Sequence, residues 1–118
     1  MSQELTLQQL ALRLQEFASQ RDWGQFHSPK NLASALIVEA GELLEHFQWL
    51  TEDQSRNLSS EKKRAVAHEM ADVLLYLVQM STTLKIDLLE AAHSKVEINE
   101  QKYPVEQARG NNRKYNEL

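Results

Sequence analysis

Four acidic residues stand in two pairs with one spacing. Glu39 and Glu42 are three apart in VEAGELLEHF, and Glu69 and Asp72 are three apart in HEMADVLLY. Residues three apart share a face of a helix, so each segment presents two carboxylates side by side. Their neighbours are apolar. Leu36, Ile37, Val38, Leu43, Leu44 and Phe47 surround the first pair, and Met70, Val73, Leu74, Leu77 and Val78 the second. Helices this apolar are expected to be largely buried. Buried carboxylates do not stay ionised alone. They are neutral, or face basic groups, or hold a cation.

The third option has a definite chemistry. Mg2+ takes oxygen ligands in a partly hydrated shell and commonly binds substrate phosphates. Such an ion offsets the desolvation of the acids, polarises a phosphoryl group and lowers the pKa of attacking water. Glu45, one turn beyond Glu42, could join from the edge. The competing reading is a buried salt-bridge network. Lysine and arginine are scarce inside the two acidic segments, although Lys95 and Lys102 could supply charge from elsewhere, or meet phosphates themselves. A di-iron bundle needs two Glu-x-x-His sequences, and Glu90–His93 is the single example, since Glu42–His46 has the wrong spacing. No nucleophile elbow and no Gly-rich phosphate loop is present. A binding-only bundle stays open at this point.

The elements that must position these acids are helical. Three glycines and two prolines leave little punctuation, so long helices with short loops are expected. The spacing predicts a first helix over 7–22, with Thr6 and Gln9 as a capping box and Gly24 as its terminator. Trp23 and Phe26 follow, to seal an end of the bundle or to clamp a flat ligand. Ser28 and Pro29 open a second helix that runs to Trp49 or Leu50. Gly41 within it marks a close helix crossing or room for a ligand. Residues 51–60 read as a polar loop. Ser59 or Ser60 opens a third helix that reaches Leu84 and carries Tyr76 one turn beyond Asp72. Asp87 and Glu90 open a fourth, ending near Tyr103, with Lys95, Asn99 and Lys102 along one polar face. The fold class is all-α: a four-helix bundle in a single domain, 1–118, with a polar C-terminal tail at 109–118.

Composition narrows the function. The chain has no cysteine, which removes disulfides, thiolate metal sites and cysteine nucleophiles. Its net charge of −4 opposes binding of a nucleic acid polymer through a broad basic face. No apolar run suits a membrane span, and no signal peptide is visible at the start. A cytoplasmic location is expected. So much apolar helix surface suggests self-association.

With these residues in view, the chain resembles the all-α nucleoside triphosphate pyrophosphohydrolases of the MazG type, and especially their dCTP pyrophosphatase branch. The pattern E-x-x-E followed by E-x-x-D appears as EAGE and EMAD. The likeness extends through RDWGQFHSPKNLASALIVEAGELLEHFQW, DVLLYLV, SKVEINEQKYPVEQARG and KYNEL, from about Leu10 to the C-terminus. It implies Mg2+-dependent hydrolysis between the α and β phosphates of a (deoxy)nucleoside triphosphate, dCTP or a modified dCTP foremost. The products are a nucleoside monophosphate and pyrophosphate. It implies that Glu39, Glu42, Glu69 and Asp72 bind the metal, with Glu42 or Glu39 handling the attacking water. It implies a base pocket with Trp23 and Trp49, and a sugar or base contact at Tyr76. Lys95, Asn99 and Lys102 become candidates for phosphate or sugar contacts, and Arg109 and Lys114 for closure from the tail. His27 lies in the similar FHSPKNL segment, where helix-start packing outranks direct chemistry. Where relatives carry a base-contacting histidine on the first helix, this chain has Leu14. A homotetramer is also implied. The alternatives are a broad-specificity housecleaning enzyme and a non-enzymatic nucleotide-binding regulator.

Overall fold

The computed structural model describes residues 5–118. Among them every regular element is a helix: α1 (Leu7–Gln20), α2 (Pro29–Glu45), α3 (Glu52–Arg56), α4 (Ser60–Leu84), α5 (Leu88–Lys102) and α6 (Val105–Ala108), with 3-10 turns at Gly24–Phe26 and Tyr115–Glu117. The all-α class is as expected, and the four long helices α1, α2, α4 and α5 are those that the sequence predicts. The chain divides into two compact units, one ending at Lys85 and the other Ile86–Leu118.

Local chemistry sets most helix starts. The Thr6 hydroxyl accepts from the Gln9 N–H at 3.1 Å, and the Gln9 side chain accepts from the Thr6 N–H, completing the capping box. Ser28, Ser59 and Asp87 each accept from the N–H three residues on. Each satisfies a donor that the first turn would otherwise leave open.

The ends differ more. α1 stops at Gln20, and Asp22, not Gly24, takes the left-handed conformation at φ 53°. Aspartate is among the few residues that tolerate it, and Gly24 instead opens a 3-10 turn. α2 stops at Glu45, short of Trp49. Its last turn tightens: the N–H groups of His46 and Phe47 bond to the carbonyls of Leu43 and Leu44, three residues back. The expected loop after it contains α3. Thr51 and Gln54 form a second capping box, with Glu52 and Asp53 at the positive helix end and Arg56 at the negative one.

In the first unit α4 packs against both α1 and α2. The α2–α4 seam can be read from burial. The shielded positions of α2 include Leu32, Leu36, Glu39 and Leu43, continued by His46 just past its end, and those of α4 include Lys62, Val66, Glu69, Val73, Tyr76 and Met80. Both alternate steps of four and three, the signature of two helices meshing along one stripe. Leu32, Val66 and Val78 are buried in the first unit, with Ala18 from α1. The expectation that both acidic helices would be largely buried needs correction. Ile37 is 66% exposed, and Val38, Leu44 and Met70 are 58% exposed each. One stripe of α2 meets α4, and its other apolar flank is left exposed among the described residues.

Candidate active site

The meshing stripe explains why acids meet. Glu39 and Glu69 occupy positions that a leucine would normally fill, one on each helix. Asp72 lies one turn past Glu69. One carboxylate oxygen from each of Glu39, Glu69 and Asp72 lies within 4.8 Å of the others. The Oε2 atoms of Glu39 and Glu69 are buried and have no hydrogen-bond partner. Such unpaired oxygens are costly to desolvate.

The cost is visible in the proton affinity of Glu39. Its carboxyl is pushed from 4.5 up to about 7. The first cause is a hydrogen bond with Glu42, followed by burial and then the negative charges of Glu42, Asp72 and Glu69. Two carboxylates have no donor between them, so that bond needs a shared proton. A cation does the same work without the proton. The salt-bridge reading finds little support in the first unit. Among its described residues no lysine or arginine pairs with these acids. The one pairing is His46 Nε2 with Glu69 Oε1 at 3.8 Å. The donor set is all oxygen and convergent, which fits a hard divalent ion.

The other expected residues fall in several places. Glu42 and Glu45 are exposed on α2. Glu42 touches the centre through Glu39 and stands outside the three-acid group. Tyr76 is half-buried on α4, one turn beyond Asp72. Trp23 packs edge-on against Phe17, ring centroids 5.7 Å apart, and stays 45% exposed. Trp49 lies in the turn after α2 and is 87% exposed. Lys95, Asn99 and Lys102 lie on α5 of the second unit, where the Lys102 ammonium sits 4.7 Å from the Tyr115 ring centroid. Arg109 caps the end of α6 in that unit.

His27 lines a cleft of about 560 Å³ in the first unit. Leu14 and Ala18 of α1, Gly24, and Gln79, Thr82 and Thr83 of α4 also form its walls. This volume suits a small ligand. Sequence reasoning passed over Gln79 and Thr83, yet the signal was present. Asp72, Tyr76, Gln79 and Thr83 follow i, i+4, i+7, i+11, so one face of α4 runs from the acids into the cleft. Asp72 and Gln79 are about 10 Å apart along the axis. The hydroxyls of Ser81 and Thr82 are spent on the Val78 carbonyl. Among the described residues the side chains of Gln79, Thr83 and His27 form no such bond, so their polar groups are free to meet a ligand. Gly41 has open space where a Cβ would stand, so among the described residues close helix crossing is not its reason.

Comparison with known proteins bears on this arrangement. Residues 35–118 match the MazG-like family. The chain is 44% identical to dCTP pyrophosphatase 1 of Homo sapiens and 43% identical to that of Mus musculus, over 99% of this chain and 70% of each relative. Its structure is similar to the crystal structure of a pyrophosphatase from Archaeoglobus fulgidus DSM 4304, with a TM-score of 0.80 and 38% identity, over 88% of this chain and 97% of that one.

Proposed function

This chain belongs to the MazG-like family, and we propose that it hydrolyses deoxynucleoside triphosphates between the α and β phosphates, with dCTP or a modified dCTP as preferred substrate and Mg2+ as cofactor. The products are the nucleoside monophosphate and pyrophosphate. The observation that carries this reading is the convergence of Glu39, Glu69 and Asp72 within 4.8 Å, with two buried oxygens left unpartnered. The similarity to the mammalian dCTP pyrophosphatases supports the substrate class.

Glu39, Glu69 and Asp72 hold the ion, and Glu42 completes the acidic set from the rim. When bound, Mg2+ supplies positive charge that binds the triphosphate and stabilises the charge developing on it. Glu42 or Glu39 orients the attacking water and accepts its proton. The base enters the α1–α4 cleft beside His27, with Gln79 and Thr83 offering hydrogen bonds to its edge. Tyr76, between acids and cleft on the same face of α4, packs against the sugar. Trp23 and Trp49 are assigned to the base pocket. The whole chain, 1–118, acts as one MazG-like domain.

The uncovered apolar flank of α2, with Ile37, Val38 and Leu44, supports assembly into a homotetramer. No helix among the described residues is long and apolar enough to cross a membrane, in keeping with action on a cytoplasmic nucleotide pool. A panel of dNTPs and NTPs with Mg2+, its products resolved by anion exchange, tests the reading. Monophosphate plus pyrophosphate is expected, with dCTP or a 5-substituted dCTP turned over best. Release of single phosphate would overturn the bond assignment. Equal turnover of all bases would favour the broad-specificity enzyme.

A further inference from the structure

His46 contributes no ligand atom to the three-acid group, yet among the described residues of the first unit its imidazole is the basic group that pairs with it, 3.8 Å from Glu69. It is the first residue beyond α2, and its backbone N–H bonds to the carbonyl of Leu43 at 3.2 Å. That anchors the imidazole at the end of the α2–α4 seam. Its side chain is 20% exposed, and that of its partner Glu69 is 23% exposed. The two carboxylate oxygens of Glu69 are therefore unequal. Oε1 faces His46 Nε2 at 3.8 Å, while Oε2 is buried and unpartnered.

We propose that His46 is a positioning residue of the metal centre: its imidazole engages Glu69 Oε1, fixes the plane of the carboxylate, and leaves Oε2 to ligate the cation. This rests on the metal reading given above and adds to it a residue outside the two acidic pairs. The physical need is clear. Glu69 is a flexible side chain amid like charges from Glu39 and Asp72, which drive its carboxylate to rotate away from the cluster. The imidazole stands 3.8 Å from one oxygen, just beyond hydrogen-bond reach, so a small side-chain rotation brings its ring N–H onto Oε1 and opposes that swing before any ion arrives. No other group is placed to do so, because among the described residues of the first unit no lysine or arginine pairs with Glu69. Outer partners that orient a metal-binding side chain typically account for 10- to 100-fold in metal affinity.

The test is binding of Mn2+ to the full chain without nucleotide, followed by loss of the free-ion paramagnetic resonance signal. Wild type, His46→Ala and His46→Gln are compared, with circular dichroism as a check of helix content. Glutamine keeps an N–H donor within reach. The expected result is a dissociation constant raised about 10- to 100-fold in His46→Ala, with most of the loss recovered in His46→Gln. Unchanged Mn2+ affinity in His46→Ala would overturn the role, even if its melting temperature fell, since that would mark a purely structural histidine. Equal loss in both variants would overturn the donor function. Failure of the wild type to bind Mn2+ at all would instead sink the metal centre itself, and this role with it.

Discussion

α4 meets two partners and brings a different chemistry to each. Against α2 it brings charge: Glu69 and Asp72 converge with Glu39, and buried oxygens are left with no partner. Against α1 it brings neutral polar groups, Gln79 and Thr83, into an open cleft with Leu14 and His27. The first region is unstable as it stands and is relieved by a proton or a cation. The second is at ease, with amide and hydroxyl groups free to pair with an uncharged partner. In the proposed function, the electrostatic conflict lies where the phosphate bond is cleaved and the unspent neutral hydrogen bonding where the base is read. A single helical stripe of 72, 76, 79 and 83 joins the two.

That contrast predicts separable consequences. The largest effect belongs to the charged region. Replacing Glu39 by glutamine removes a ligand oxygen and a proton acceptor at constant shape, and is expected to lower turnover roughly 100- to 1,000-fold, the scale for loss of one charge-stabilising group. Folding should be preserved or improved, because a like charge has gone. Steady-state kinetics beside thermal melts checks both, and wild-type turnover would break the assignment of chemistry to this region.

A smaller, selective effect belongs to the cleft. Gln79→Ala should leave Mg2+ dependence intact while changing the ratio of kcat/KM between dCTP and the other deoxynucleotides by roughly 5- to 10-fold, about one hydrogen bond of discrimination. A uniform loss across all bases would instead place Gln79 in support of the fold.

The acidic spacing and most helix starts were legible in the sequence because they depend on residues three or four apart. Thr6 with Gln9, Ser28 with Pro29, and Ser59 all cap where expected. α3 was equally legible, as Thr51-x-x-Gln54, but was hidden by the polarity of its surroundings. What could not be read locally was set by packing. Which flank of α2 meets α4, and so which apolar residues stay uncovered, is decided by a partner far along the chain. The same holds for His46, whose spacing excludes it from a ligand pair. Its contact with Glu69 arises only when α2 and α4 mesh.

The central claim is that the three-acid group is built for a cation, and the melting temperature tests it most directly. Glu39 has a folded pKa near 7 against 4.5 for an unstrained carboxyl. The metal-free folded state therefore holds its proton more tightly than the unfolded chain. Its stabilisation is complete below pH 4.5 and is lost as pH rises through 7. Mg2+ favours the ionised acids, so its effect must run the opposite way. The account predicts that saturating Mg2+ raises the melting temperature by several degrees at pH 8, the scale of roughly 2.7 kcal/mol at 100-fold excess over Kd, and far less at pH 5. Glu39→Gln should largely lose the gain. A melting temperature indifferent to Mg2+ at pH 8, with nucleotide turnover persisting in a chelator, would contradict it.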